Sequence, residues 1–281
     1  MTTDPTDLFA GRSQIDLSRP YVIGMPQSPN HPPYWHSLPR RHGDMVRSDG
    51  GSAANDIITM GTHVGTHMDA LAHVSQDGKV HGGLDAAEAQ VGGRFEVHGI
   101  DTVAPILGRG ILLDVPAALG VTACDPAYQI TTDDLDAALA LAGTTPQPGD
   151  VLIVRSGWGQ RWEEGPAYVG KDSGVPGVGE AGAQWLAAHQ PAAVGADTIA
   201  FEHLAAGKGH ASLPAHRVLL VDAGINIIET MALEELAART EALGVRHFPI
   251  VVVPLPLVGA TGSPVRPLAL LSDGATAEGT P

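Results

Sequence analysis

The stretch Thr62-His63-Val64-Gly65-Thr66-His67-Met68-Asp69-Ala70-Leu71-Ala72-His73 decides how the rest of the chain is read. Three histidines and one aspartate fall within eleven residues. Neutral imidazole and carboxylate are the usual ligands of zinc and related divalent ions. In a fully extended strand His63 and His67 would stand about 13 Å apart, near the limit for sharing one ion. A turn or helical step brings positions i and i+4 to roughly 6 Å. Gly65, between them, is where a sharp bend is cheapest. A lone histidine is ordinarily a surface or satisfied core residue, and this chain has 13. The metal-site reading rests on the company these four residues keep: two glycine–threonine pairs and almost uncharged surroundings.

Composition narrows the function classes. With 281 residues, 43% of them hydrophobic and 17% charged, the chain can bury a substantial core. Its formal net charge of −15 excludes a broad basic face for nucleic acid or an anionic membrane. No apolar run is long enough for a transmembrane helix, and Met1 to Asp16 shows no secretory signal. The single cysteine, Cys124, cannot form an internal disulfide. A cytoplasmic location is the expectation, and Cys124 reads as a small packed or surface residue, not a nucleophile. There is no G-x-G-x-x-G after a strand, no P-loop and no G-x-S-x-G elbow.

Outward from the histidines, Asp56 to Met60 reads as a strand leading into them. Upstream, Arg19 to Arg41 carries Pro20, Pro26, Pro29, Pro32, Pro33 and Pro39, which forbids a regular helix. It reads as a long loop holding His31, Tyr34, Trp35, His36 and His42. Tyr34 and Trp35 suit either a lid over a small apolar substrate or an anchor to the body or a neighbouring subunit. Ile15 to Ser18, Phe95 to His98, Gly110 to Val115, Asp150 to Arg155, Ala193 to Asp197, Ile225 to Glu229 and Leu268 to Leu271 read as strands. Phe248 to Val258 reads as a strand leaving toward a sheet edge because of Pro254 and Pro256. Helices are expected after Thr131 or Thr132, with Asp133 and Asp134 in the first turn, and over Glu180 to His189, Pro214 to Ala223 and Leu233 to Ala238. Gly157 to Gly179, with Trp158, Trp162 and Tyr168, is a second candidate substrate-facing loop. Residues 1–14 and 272–281 read as disordered ends of one domain spanning 15–271.

Glu229 ends an otherwise apolar run, Ile225-Asn226-Ile227-Ile228. A carboxylate buried there must be paired or metal-bound; one just past the strand would sit in solvent. The residues alone leave both open. His81, His203 and His210 read as surface or supporting residues.

The first stretch resembles the signature H-x-G-T-H-x-D-x-P-x-H of the metal-dependent cyclase-like amidohydrolases, a family that includes bacterial kynurenine formamidase, isatin hydrolase and certain lactamases. Leu71 stands where the family often has proline. The run from His216 to Glu229 is similar to the family's H-x-x-L-L-x-x-x-G-I-x-I-x-E pattern, and Gly259 to Pro267 to its C-terminal loop. The resemblance implies a compact α/β domain with a mixed sheet core and flanking helices, in the swivelling β/β/α style, as a homodimer or homotetramer. It implies one or two divalent ions, zinc or else manganese. His63, His67 and Asp69 would hold the first; Asp69 would bridge to the second, held also by His216, with Glu229 shared or nearby. His73 would be the general acid/base, and Tyr34 or Trp35 would contact substrate. The implied reaction is hydrolysis of the C–N bond of a small aryl formamide or cyclic amide by metal-activated water. The alternatives are a lactonase or lyase on the same scaffold, or a non-catalytic metal- or ligand-binding member.

Overall fold

The computed structural model describes residues 11–273. Strands β1 (Arg12–Asp16), β4 (His67–Asp69), β5 (Ile106–Asp114), β6 (Val151–Arg155), β7 (Ala193–Ala196), β8 (Asn226–Glu229), β9 (His247–Val252), β10 (Gly262–Pro264) and β11 (Leu268–Ser272) form one mixed sheet. Their order is β1-β11-β9-β5-β6-β7-β8-β4-β10. Neighbours from β5 to β8 pair in parallel, and all other neighbours are antiparallel. A parallel centre is covered on both faces, so its strands are continuous apolar runs. Every residue of β6 is buried accordingly.

Alternation along the strands builds two cores. Ile111, Leu113, Leu152 and Val154 face the helices α1 (Val115–Leu119), α2 (Thr132–Ala142) and α3 (Glu180–Ala188), through side chains such as Leu135 and Leu186. Leu112, Ile153, Ile228 and Met68 face the other way, toward Ile15, Phe248 and α4 (Glu234–Leu243). Helix α2 starts as its residues predict: Thr131 caps it, and Asp134 returns a bond to the cap amide. Cys124 is buried, and burial pushes its thiol up to about 12, the behaviour of a packing residue.

Several expectations need correction. Arg12 to Gln14, read as part of a disordered start, pair with β11; residues 1–10 and 274–281 lie outside the described part. The proline-rich segment contains a strand, β2 (Trp35–Arg40), paired with β3 (Asn55–Thr59) in an arm whose irregular register spans Ser37 to Arg40 and so accommodates Pro39. The expected strand over Phe95 to His98 shrinks to Arg94–Phe95. Strand β9 is interior, between β5 and β11; Pro249 lies where only the β5 register is present, since pairing with β11 begins at Ile250. The helix predicted from Pro214 begins as one turn, Pro214–His216, and continues as a π-helix, Arg217–Ala223. Trp158, Trp162 and Tyr168 do not face a substrate: they are buried in a third apolar cluster with Met25, Val64 and Ile199. Among the described residues no helix is long and apolar enough to cross a membrane.

Candidate metal centre

Strand β4 is three residues long, and its pleat separates its side chains. Met68 enters the core shared with α4, whereas His67 and Asp69 share the opposite face. Glu229 pairs directly with His67 across the β4–β8 ladder, and Ile227 with Asp69. Sheet register therefore joins the early stretch to the late glutamate. Asn226 Nδ2 donates to the Asp69 carbonyl at 2.8 Å and pins that register.

His63 reaches the same place because the chain bends at Gly65, whose φ of +65° favours glycine. The ring of Tyr21 packs so closely there that a Cβ would lie 2.8 Å from it. The Thr66 hydroxyl donates to the Thr230 carbonyl at 2.8 Å and accepts from the Arg19 amide at 2.8 Å. The bend is thereby tied to the end of β8 and to the N-terminal segment.

His63, His67, Asp69, His216 and Glu229 are all buried, and they converge. His63 Nδ1 lies 2.6 Å from Asp69 Oδ1. His67 Nε2 is 3.4 Å from both Asp69 Oδ1 and Glu229 Oε2. His216 Nε2 is 3.1 Å from Glu229 Oε1 and 3.6 Å from Asp69 Oδ2. The other ring nitrogens are fixed from behind. His67 Nδ1 donates to the Gly65 carbonyl at 2.8 Å. His216 Nδ1 donates to Glu202 at 2.6 Å. Both rings thus present Nε2 to the centre, an arrangement typical of ligating histidines.

Two carboxylate oxygens test whether an ion fits. Asp69 Oδ2 and Glu229 Oε1 are buried and make no hydrogen bond of acceptable geometry, although imidazole nitrogens stand nearby. Buried acceptors left this way are costly. Both lie beside His216 Nε2, while the other oxygens of the same carboxylates face His67 Nε2, and a divalent cation held among these groups would satisfy them. Donor atoms of His67, Asp69 and Glu229 all lie within 4.8 Å of one another, as do those of His63, Asp69 and His73. Asp69 belongs to both sets. This grouping differs from the expected one, in which His63 and His67 share an ion: His67 groups with Glu229, and His63 with His73.

Electrostatics agree with a cation-binding role. Burial opposes charge on His67 and His216, but Asp69 and Glu229 outweigh it, joined at His216 by Glu202. His67 is pushed up to about 10 and His216 well above its ordinary value. Burial likewise opposes charge on Asp69 and Glu229, yet the surrounding imidazoles hold both below the usual carboxylate range. In the ion-free protein, protons on two imidazoles stand where positive charge is required.

His73 stacks on His63 with ring centroids 3.8 Å apart. Burial, reinforced by neighbouring imidazoles and only partly offset by Asp69, pushes it down to about 3. Beside these residues lies a cavity of about 250 Å³, lined in part by His63, His67, His73, His216 and Glu229. A larger cleft of about 660 Å³ on the outer sheet face, near Leu107 and Leu270, holds no such constellation. Neither Tyr34 nor Trp35 lines the histidine cavity. Tyr34 leans on Tyr21, centroids 5.6 Å apart, and Trp35 is 57% exposed on the arm. The proline-rich segment contributes Ser28, Asn30 and His31 to the cavity instead.

Glu202 is the important residue the sequence reading missed. It follows the apolar Ile199-Ala200-Phe201 much as Glu229 follows its strand, so the same burial argument pointed to it. His210, read as a surface or supporting residue, lies on the cavity wall. His81 and His203 serve the scaffold, bonding the carbonyls of Val221 and Ala127.

A mixed sheet that places His67, Asp69 and Glu229 together, joined by His63 from the preceding turn and His216 from a helix, defines an α/β protein with a candidate metal centre. The chain belongs to the family described as "Putative cyclase", whose model matches residues 15–203. It is 25% identical to the isatin hydrolase of Roseibium aggregatum over 228 residues, 80% of this chain and 77% of that one. It is 26% identical to the kynurenine formamidase of Geobacillus thermodenitrificans over 220 residues, 78% of this chain and 81% of that one. A solved structure described as a novel cyclase superimposes with a TM-score of 0.84 at 30% identity, covering 94% of this chain and 90% of that one. His216 and Glu229 fall after the segment matched by the family model, so their inclusion in the centre rests on geometry.

Proposed function

We propose that this protein is a metal-dependent hydrolase that cleaves the C–N bond of a small cyclic amide or aryl formamide. The observation that carries the reading is the meeting of Asp69 and Glu229, each with an unsatisfied buried oxygen, with the Nε2 atoms of His67 and His216. Similarity to an isatin hydrolase and a kynurenine formamidase supports the choice of amide chemistry. Asp69, His63, His67, His216 and Glu229 would hold one or two divalent ions, zinc or manganese by their nitrogen and oxygen donors. Such an ion, when bound, acidifies water and polarises the scissile carbonyl.

The chain's own residues do the rest. Glu202 and the Gly65 carbonyl hold two imidazoles in the tautomer that presents Nε2. Among the described residues the His73 ring makes no hydrogen bond to protein, and it is unprotonated at neutral pH. It accepts the proton of the attacking water as negative charge builds beside it. It then returns that proton to the departing nitrogen, so the C–N bond breaks to give a carboxylic acid and an amine. Asp69, with Glu229 behind it, favours charge on His73 and steadies the imidazolium between the two transfers.

The test is metal analysis of purified protein, followed by assay against aryl formamides, indoline-2,3-diones and γ-lactams before and after chelation. A protein that holds no ion at micromolar concentrations, or whose turnover survives chelation, is not this enzyme.

We also infer that the chain assembles with copies of itself as a dimer or tetramer. The β2–β3 arm leaves Trp35, Ile57 and Ile58 each more than half exposed, and Met45 and Val46 beside them. A second copy would cover them.

A further inference from the structure

Two imidazoles of the centre are held from behind by groups that only accept: the Gly65 carbonyl for His67 and the Glu202 carboxylate for His216. His63 is held differently. Its Nδ1 meets Asp69 Oδ1 at 2.6 Å, and its Nε2 meets the Thr261 hydroxyl at 2.9 Å. A hydroxyl can donate or accept, so this second bond stands in either tautomer of the ring. It can therefore persist with an ion beside Asp69 or without one. Gly262, the next residue, supplies the space. A Cβ there would lie 2.6 Å from His63 Cε1 and 3.1 Å from its Nδ1. The φ of Gly262 lies outside the left-handed region, so this glycine serves close approach and not a turn.

Both residues are brought to His63 by sheet register. Gly262 pairs with Asp69 across the β4–β10 ladder, and the Thr261 carbonyl accepts from the Ala70 amide at 2.8 Å. The chain just before them is tied down as well. Asp101 Oδ1 accepts the Gly259 amide at 2.7 Å, and the Gly259 and Ala260 carbonyls accept from the amides of Phe95 and Ile100 at 3.0 and 2.8 Å. We propose that Thr261 and Gly262 are positioning residues that form a socket for the His63 ring, hold it against Asp69 and thereby raise the affinity for an ion at that end of the centre. The contact joins positions 198 apart in the chain. Neither residue lines the histidine cavity, so substitutions here report ring placement and not a substrate contact. The inference rests on the metal-centre reading above and deepens it.

The test titrates zinc and manganese ions, separately and by calorimetry, into the full-length chain after chelation. Thr261→Val keeps the shape and loses the hydroxyl, whereas Thr261→Ser keeps the hydroxyl and loses a methyl. Thr261→Val should weaken ion binding roughly 10- to 100-fold, the usual cost of losing a group that orients a ligand, and Thr261→Ser should restore it. Native affinity in Thr261→Val, or a larger loss in Thr261→Ser, would show that Thr261 only packs the loop. Nitrogen NMR of the imidazoles in the ion-free chain reads the ring directly. The His63 signals should move in Thr261→Val and return in Thr261→Ser; signals that stay put overturn the proposal. Gly262→Ala should lower the melting temperature of the ion-free chain, and most of that loss should vanish in a His63→Ala background. Additive losses would mean that the ring does not fill the space at Gly262, and the socket would fall. If Thr261→Val weakens ion binding while the native chain hydrolyses no amide, the hydrolase reading falls and the socket stands. If amides are hydrolysed and Thr261→Val binds ions as the native chain does, the socket falls alone.

Discussion

The carboxylate of Glu202 accepts the Nδ1 proton of His216 at 2.6 Å and, through the same two oxygens, the backbone amides of Ala215 and His216 at 3.0 Å each. One buried side chain therefore sets both the start of a helix and the orientation of an imidazole that helps form the metal centre. Glu202→Gln keeps the shape but replaces an ionised acceptor with a neutral amide. Metal affinity should fall roughly 10- to 100-fold, with the far-UV circular dichroism unchanged. Full affinity in this variant would show that Glu202 serves the helix alone.

His73 shares a donor set with His63 and Asp69, and its ring stacks on His63; the proposed chemistry makes it the proton carrier and not a ligand. His73→Ala is expected to keep most bound metal and lose about 10²- to 10⁴-fold in kcat. Parallel loss of metal and activity, read by elemental analysis beside the assay, would make His73 a ligand instead.

In the ion-free chain His67 is raised to about 10 from an unfolded value near 6.5. Its protonation therefore stabilises the fold fully below about pH 6.5, and that contribution is lost as pH climbs toward 10. A divalent ion competes with the same proton and with the one on His216, whose value is also raised. Apparent metal affinity should rise with pH across this window, and binding should release protons. Calorimetric titration in buffers of different ionisation enthalpy counts them. A pH-independent affinity would contradict the charge assignment.

Gly65→Ala tests the bend between the first two histidines. An L-residue at φ +65° costs about 1–2 kcal/mol, and the new methyl would also press on the Tyr21 ring 2.8 Å away. A thermal melt should show a loss larger than the backbone cost alone. In a Tyr21→Ala background the excess should vanish while the backbone cost remains; additivity of the two substitutions would refute the contact.

If the arm joins copies of the chain, Ile57→Asp with Ile58→Asp should lower the mass seen by analytical ultracentrifugation while leaving metal content intact. A native chain that sediments as a monomer at micromolar concentration would end that proposal.

The metal centre was legible in the sequence to the extent that its parts are local or lie on strongly apolar strands. His63, His67, Asp69 and His73 declare themselves by spacing. Glu229 ends an apolar run, which left burial and solvent equally open; the resemblance, not the run, pointed to it. The interior strands Gly110 to Val115 and Asp150 to Arg155 were readable because a two-sided burial leaves no polar alternation to misread. What stayed hidden depends on tertiary packing. The rings of Trp158, Trp162 and Tyr168 sit among glycines and prolines, which suggested an open loop; they instead fill a satellite core, where Tyr168 bonds the Asp197 carbonyl at 2.9 Å. His31 and His210 gain meaning only from a cavity formed by segments about 180 positions apart, a distance over which periodicity carries no signal.

Strand β4 has only two neighbours in the sheet, β8 and β10, and both come from the last quarter of the chain. While the polypeptide emerges from the ribosome, the histidine-bearing segment therefore waits unpaired until nearly everything downstream has been made. An ion captured early would meet at most the local cluster, so full loading is deferred to the final stage of assembly. Truncation near residue 220 would leave a chain with its most specific motif present and no strand to dock it against.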